Sequence, residues 1–387
     1  IRFLGVLTRE FGPEYRAVDA AVVNLQQASG PVARMTAERT LRKSLEAPRT
    51  RLLTQFNALP EGVKFLVDMR AELIPWVGHD EALTDIEADL KTLLTSWFDV
   101  GFLELKQITW TASASLLEKL FIYEAVHKIK SWDDLKNRLA SDRRCFAFFH
   151  PRMPEQPLIF VWVALVEGMA TNIQELLDER VPIQEADRAD TAIFYSISNT
   201  QAGLTGINFG NFLIKRVVDN LSREFKGIKK FATLSPIPGF MSWLRNNLDD
   251  EHLSFLTSEQ NENLNNLTSK STPKASLVYL LGKTQWSTNS QAKEALEPIL
   301  LRLAAHYLTN EKRPGGTALD SVAHFHLNNG ARIEQINWAA DVSAGGITNS
   351  AGIMINYRYL LDEIDRNHEL YRSGQEITLS SVVRNLL

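Results

Sequence analysis

Apolar residues recur at three- and four-residue spacings through the first hundred positions. The spacing predicts helices over Val18–Gln27, Thr36–Leu45, Arg49–Phe56, Glu61–Ala71 and Glu81–Trp97. Breaks fall at Ser29-Gly-Pro31, Pro48, Leu59-Pro-Glu-Gly62 and Pro75–Gly78. No repeat of about 34 residues recurs, which argues against a solenoid and leaves a helical bundle. Apolar stripes are core by default, so these helices are expected to pack on one another or on a second copy of the chain.

After Phe98 the pattern changes. Ile108-Thr-Trp-Thr111 ends an extended stretch, and Leu116–Val126 and Trp132–Leu139 read as connecting helices. Runs rich in β-branched and aromatic residues then predict strands at Cys145–His150, Leu158–Val166, Thr191–Ser198, Lys230–Leu234, Val322–Leu327 and Arg332–Trp338. Helical patterns alternate with them, so an α/β or α+β second domain is expected, with domains 1–98 and 99–387. Leu248–Lys274, rich in Asn, Ser, Glu and Thr, reads as a solvated excursion with one or two short helices.

Composition narrows the functional classes. A single cysteine, Cys145, excludes an internal disulfide and a thiolate zinc cluster, and it suits a reducing compartment. The formal net charge of −4 argues against a dedicated nucleic-acid binder. No apolar run reaches the roughly 18 residues that a membrane helix needs. Ile1-Arg-Phe-Leu4 does not read as a signal peptide and Arg384–Leu387 carries no peroxisomal tripeptide, so a cytoplasmic location is the expectation.

One stretch reads as a ligand-binding unit. Thr191–Ser198 is a strand, Asn199–Gly206 a turn and Ile207–Glu224 a helix, with Gly203, Gly206 and Gly210 around the junction. Glycine lets backbone N–H groups approach a ligand closely, and a helix N-terminus favours phosphate. Lys215 and Arg216 could add positive charge. The pattern is neither G-x-G-x-x-G nor a P-loop, and a tight turn with close helix packing explains the glycines equally well. A second strand, parallel to the first, ends at Ser235-Pro-Ile-Pro-Gly239, where two prolines stiffen the chain. Ser235 there either presents a preorganised hydroxyl or caps the next turn.

Val322-Ala-His-Phe-His-Leu327 alternates, and Asn328-Asn-Gly330 carries a hairpin signal. On a strand, His324 and His326 would share a face. They could ligate a metal, but no third ligand is apparent nearby, and a lone histidine is more often structural.

These segments together resemble the malonyl-CoA decarboxylase family. The resemblance rests on Phe194–Ser198, Gly203–Gly206, Phe212–Val217, Leu234–Phe240, Phe325–Leu327 with Asn329-Gly330, and Asn356–Tyr359. It runs in order from about Leu105 to Tyr359 and more loosely through the helical first hundred residues. It implies an α+β protein: a helical bundle used in self-association, giving a homo-oligomer of tetramer size, then a GNAT-like catalytic domain with a mixed, centrally splayed sheet. Thr205, Gly206, Ile207, Asn208, Phe209, Gly210 and Asn211 match the family's CoA-binding loop. Ser235 and His326 match its catalytic pair, and His324 is not part of that motif. Malonyl-CoA as substrate and acetyl-CoA as product are implied, with no nucleic acid, membrane or metal.

In that chemistry the thioester carbonyl is itself the electron sink, so biotin, pyridoxal phosphate and metal are not required. Enolate stabilisation by backbone N–H groups is worth about 3–4 kcal/mol per donor. His326 is the expected proton donor and Ser235 the group that orients the malonyl moiety, with Tyr359 and Asn356 as secondary pocket candidates. An acyl-CoA N-acyltransferase, or a silent CoA-binding scaffold, are the competing readings.

Overall fold

A computed structural model describes residues 2–207, 212–249, 252–282, 284–374 and 376–387. The chain forms two compact units. The first comprises residues 1–106, 147–160 and 199–212, and the second residues 107–146, 161–198 and 213–387.

The first unit is built from helices α1 (Arg2–Glu10), α2 (Tyr15–Gln27), α3 (Pro31–Leu45), α4 (Pro48–Gln55), α5 (Gly62–Leu73) and α6 (Glu81–Trp97). Helix α1 escaped the sequence reading. Pro31 and Pro48, which read as breaks, occupy the first turns of α3 and α4, where a missing N–H costs nothing. Helix α6 is the centre: Leu83, Ile86, Leu90 and Leu94 form one buried stripe, on which α1, α4 and α5 pack. Two buried guanidiniums are matched to it, with Arg49 Nε 2.7 Å from Asp89 and Arg70 Nη2 2.6 Å from Glu87. Helices α2 and α3 pack on each other but bury only Ala21 and Ala37, leaving Tyr15, Val23, Val32 and Met35 exposed.

Strands β1 (Glu104–Ile108), β2 (Arg143–His150), β3 (Met153–Val166), β4 (Thr191–Asn199), β5 (Lys230–Thr233), β6 (Ser235–Pro236), β7 (Arg332–Asn337) and β8 (Met354–Tyr359) form a mixed sheet. Their order is β1-β2-β3-β4-β5-β8-β6, and β7 pairs with the other edge of β8. Around them run α7 (Ala114–Tyr123), α8 (Trp132–Arg138), α9 (Ile173–Leu176), α10 (Phe212–Glu224), α11 (Phe240–Asn247), α12 (Ser258–Thr268) and α13 (Pro273–Leu281). They are followed by α14 (Ser290–Thr309), α15 (Ser321–Asn328), α16 (Ala344–Ser350), α17 (Ile364–Arg372) and α18 (Ser381–Arg384). The architecture is α+β. The excursion Leu248–Lys274 carries α12 and the first two residues of α13, as its polar composition suggested.

The central ladder opens partway. β4 and β5 are parallel over Thr191↔Lys230 to Phe194↔Thr233, after which β4 runs on to Asn199 without β5 beside it. The chain from β5 instead continues along the edge of β8, where Ser235 lies opposite Ile355. Helix α7 stops three residues short of the expected Val126. The Glu124 carboxylate turns back to accept the N–H groups of Val126 and His127, which ends the helix, and it also accepts from Ser196 and Trp162.

One expected element is wrong. Val322–Leu327 is not a strand but most of α15, and Asn328-Asn-Gly330 is not a hairpin turn. Asp320 caps the helix by accepting the N–H groups of Val322 and Ala323. The other end is closed by bonds from Gly330 N–H to the Leu327 carbonyl and from Ala331 N–H to the His326 carbonyl, with Gly330 at φ +79°. A Cβ at Gly330 would also lie 2.2 Å from the Ile364 carbonyl oxygen. The Asn-Gly pair is therefore a helix C-terminus.

Candidate active site

The helix changes what the two histidines can do. Two positions apart on a helix are roughly 200° apart around its axis, so His324 and His326 face away from each other. His324 Nδ1 meets the Tyr371 hydroxyl at 2.8 Å, half-exposed, while His326 points inward and is buried. A shared metal face does not exist.

His326 Nε2 lies 3.1 Å from Ser235 Oγ, and its Nδ1 lies 2.8 Å from the Tyr359 hydroxyl. Three elements far apart in sequence converge here: Ser235 from β6, His326 from α15 and Tyr359 from the end of β8. Pairing of β6 and β8 places Ser235, while the cap at Asp320 and the glycine stop at Gly330 place His326. Asp320 also accepts from Gly239 N–H and the Tyr307 hydroxyl, linking α15 to the corner that follows Ser235.

The proton order can be read from the donors. Ser235 donates its hydroxyl proton to Thr233 Oγ1 at 2.9 Å, and that oxygen also accepts the Tyr357 N–H at 3.2 Å. Ser235 Oγ is thus left to accept from His326, so Nε2 carries the hydrogen. Burial lowers the His326 pKa to about 3, so the ring is neutral at pH 7 and Nδ1 accepts from Tyr359. Burial likewise holds the Tyr359 phenol well above its ordinary range, keeping it a donor. In this state Ser235 is not deprotonated by His326. The imidazole presents an N–H, not a base.

The surroundings hold the ring still. Tyr357 stacks on His326 with centroids 4.7 Å apart and planes 23° apart, and its own buried hydroxyl finds no partner among the described residues. Asn356 does not line the pair as a free polar group. Its amide donates to the carbonyls of Thr233 (2.7 Å) and Ala170 (3.0 Å) and accepts from Asn337 (2.7 Å), which clamps the end of β5. Thr233 and Tyr357 escaped the sequence reading. The polar interruption in Met354-Ile-Asn-Tyr-Arg-Tyr359 was the available signal for β8, but a threonine inside an apolar strand carries none.

The glycine-rich turn lies in the first unit. A Cβ at Gly203 would sit 1.8 Å from the Val67 carbonyl oxygen, and the Gly203 carbonyl accepts from Arg70 Nη1 at 2.6 Å. That glycine serves packing within the unit. Gly206 has φ +76°, with the Lys91 ammonium 3.4 Å from where its Cβ would be. Thr205 is exposed and Ile207 buried, whereas Asn208, Phe209, Gly210 and Asn211 lie outside the described residues. Lys215, a candidate for added charge, is ion-paired with Asp365 at 2.6 Å.

Residues 101–387 match the family described as the malonyl-CoA decarboxylase C-terminal domain, and residues 11–98 match its N-terminal domain. The mitochondrial malonyl-CoA decarboxylase of Rattus norvegicus is 39% identical over 404 residues, covering 99% of this chain and 81% of that protein. Crystal structures of malonyl-CoA decarboxylases superpose over the whole fold. For that of Agrobacterium vitis the TM-score is 0.89 at 41% identity, covering 100% of this chain and 90% of the other. For that of Rhodopseudomonas palustris it is 0.87 at 40%, covering 99% and 89%. An α+β fold with these relatives makes the chain an enzyme of the carboxy-lyase class. It belongs to the malonyl-CoA decarboxylase family. No helix among the described residues is long and apolar enough to cross a membrane.

Proposed function

We propose that this chain converts malonyl-CoA to acetyl-CoA and CO₂ in fatty-acid and malonate metabolism, with His326 as proton donor and Ser235 as the group that orients the malonyl moiety. The proton order carries this reading: Nε2–H faces Ser235 Oγ, while the serine proton is turned away toward Thr233. That order suits delivery of a proton, not generation of a serine nucleophile.

The low pKa gives the imidazole a cycle. With no anion beside it, burial keeps the ring neutral. A malonyl carboxylate brought within a few ångströms raises the pKa, and the ring takes up a proton. As the bond to the carboxylate breaks, CO₂ leaves uncharged and the electron pair moves into the thioester as an enolate. The imidazolium then protonates the α-carbon and returns to its neutral state. One proton from solvent is consumed per turnover, and the charge balances without a further reactant. Ser235 would turn its hydroxyl from Thr233 to the carboxylate or carbonyl, holding the breaking bond perpendicular to the carbonyl plane.

Thr205–Asn211 is assigned to the phosphate end of CoA. The left-handed backbone at Gly206 supports this, because a side chain there strains the loop by roughly 1–2 kcal/mol. Gly206→Val is expected to raise the CoA dissociation constant about tenfold or more. An unchanged constant in calorimetric titration would contradict the assignment. The exposed apolar residues of α2 and α3 support self-association through the helical unit, with a tetramer as the expected size. The single buried cysteine suits the cytoplasm or any other reducing compartment.

Incubation with malonyl-CoA alone tests the activity. CO₂ release and acetyl-CoA formation without an acceptor are expected. Acyl transfer that requires an added amine would make the chain an N-acyltransferase, and CoA binding without either reaction a scaffold.

A further inference from the structure

Away from Ser235 and His326, three ligating side chains converge at the C-terminal end of α14. His306 occupies the last turn of that helix, and Glu311 follows it in a loop held by the Leu319 N–H on the Glu311 carbonyl. His252 comes from the excursion after α11. One ligand atom of each, the two imidazole nitrogens and a carboxylate oxygen, lies within 4.8 Å of the other two. Glu311 Oε1 is 3.4 Å from His306 Nε2 and 3.8 Å from His252 Nε2.

Those separations are long for charge-assisted hydrogen bonds, which run to about 2.7–2.9 Å. They are close to the edge of a zinc tetrahedron: bonds of about 2.0–2.1 Å place neighbouring ligand atoms about 3.4 Å apart. The ligands are also oriented from behind. Asp249 Oδ1 lies 2.6 Å from His252 Nδ1 and accepts the His252 N–H at 2.9 Å, so the other ring nitrogen is turned toward Glu311. This is the carboxylate–histidine arrangement that backs imidazole ligands of metals. Trp243 adds an apolar wall, its ring 6.1 Å from His306 and 5.3 Å from His252. Side-chain exposures of 18%, 36% and 28% for His252, His306 and Glu311 leave an entry path from solvent.

The geometry points to a zinc(II)-binding site formed by His252, His306 and Glu311, with Asp249 as a positioning residue and the fourth coordination position left to water. The site is separate from the proton donor and takes no part in decarboxylation. It staples the excursion after α11 to the end of α14. The residue next to His306, Tyr307, reaches Asp320, which caps the helix bearing His326.

The test is calorimetric titration of the metal-stripped full chain with zinc chloride. One zinc per chain is expected with a dissociation constant of roughly 1 μM or tighter. The unfolding temperature should rise by several degrees on saturation, and cobalt(II) should give the visible absorption of a tetrahedral site. His306→Ala and His252→Ala should each abolish binding. Asp249→Asn, which keeps all three ligands, should weaken it about 10–100-fold. Absence of binding at about 100 μM zinc, or stoichiometric binding that survives both histidine substitutions, overturns the assignment. Should either histidine variant misfold, an octahedral cobalt(II) spectrum in the unaltered chain would overturn it equally.

Discussion

Alanine at position 326 is expected to lower kcat by about 10²–10⁴-fold while CoA still binds, the range for loss of an acid–base group. The substitution removes the Nε2–H that faces Ser235 and leaves the Tyr359 hydroxyl without its acceptor. Steady-state rates of CO₂ release together with a CoA titration separate the two effects, and full activity would remove His326 from the reaction. The same variant has a second signature in stability. The folded-state pKa of about 3 lies below the unfolded value of 6.5, so the unfolded chain binds more protons between those limits. The contribution of neutral His326 is therefore present above pH 6.5 and is lost as pH falls toward 3. His127, lowered to about 4 chiefly by burial, acts with the same sign in both proteins. Urea unfolding across this window should show a shallower acid loss in His326→Ala than in the unaltered chain. An identical slope would mean that position 326 is not a buried neutral imidazole.

Ser235→Ala is expected to reduce kcat by a similar factor, about 10²–10⁴-fold, through a different cause. The hydroxyl accepts from His326 and donates to Thr233, so its loss removes the acceptor that aims Nε2–H and, on the proposed mechanism, the group that orients the malonyl moiety. CoA affinity should change little. Because His326 holds its hydrogen toward Ser235, no acyl-serine should accumulate in rapid-quench mass spectrometry of the unaltered enzyme. A covalent adduct of malonyl mass on Ser235 would replace this mechanism with a nucleophilic one.

The long periodic elements were legible in sequence. Glu81–Trp97 is helical over that whole span, and Thr191–Ser198 and Arg332–Trp338 correspond to β4 and β7 within one residue at each end. Their signal is repetition, and repetition survives local ambiguity. Val322–Leu327 shows the opposite case. Six residues of alternation and an Asn-Gly pair read as a hairpin, whereas in the structure Asp320 caps and Gly330 ends a helix there. The glycines behaved similarly: Gly203 reads as a ligand turn, yet the Val67 carbonyl, 136 positions earlier in the chain, occupies the space of its missing Cβ.

By itself the sequence determined the helical first hundred residues, the strands that alternate with helices in the remainder and the residue types that a family resemblance singled out. Those are properties of spacing and identity, which need no third dimension. Only the tertiary structure decided which atoms meet. It turned His326 inward and His324 away, brought Ser235 to 3.1 Å from His326 across 91 positions, and turned the serine proton toward Thr233. It also gathered His252, His306 and Glu311, from a turn, a helix end and a loop, into one cluster. Burial then lowered the His326 pKa, an effect of the surrounding dielectric that no local stretch of sequence encodes.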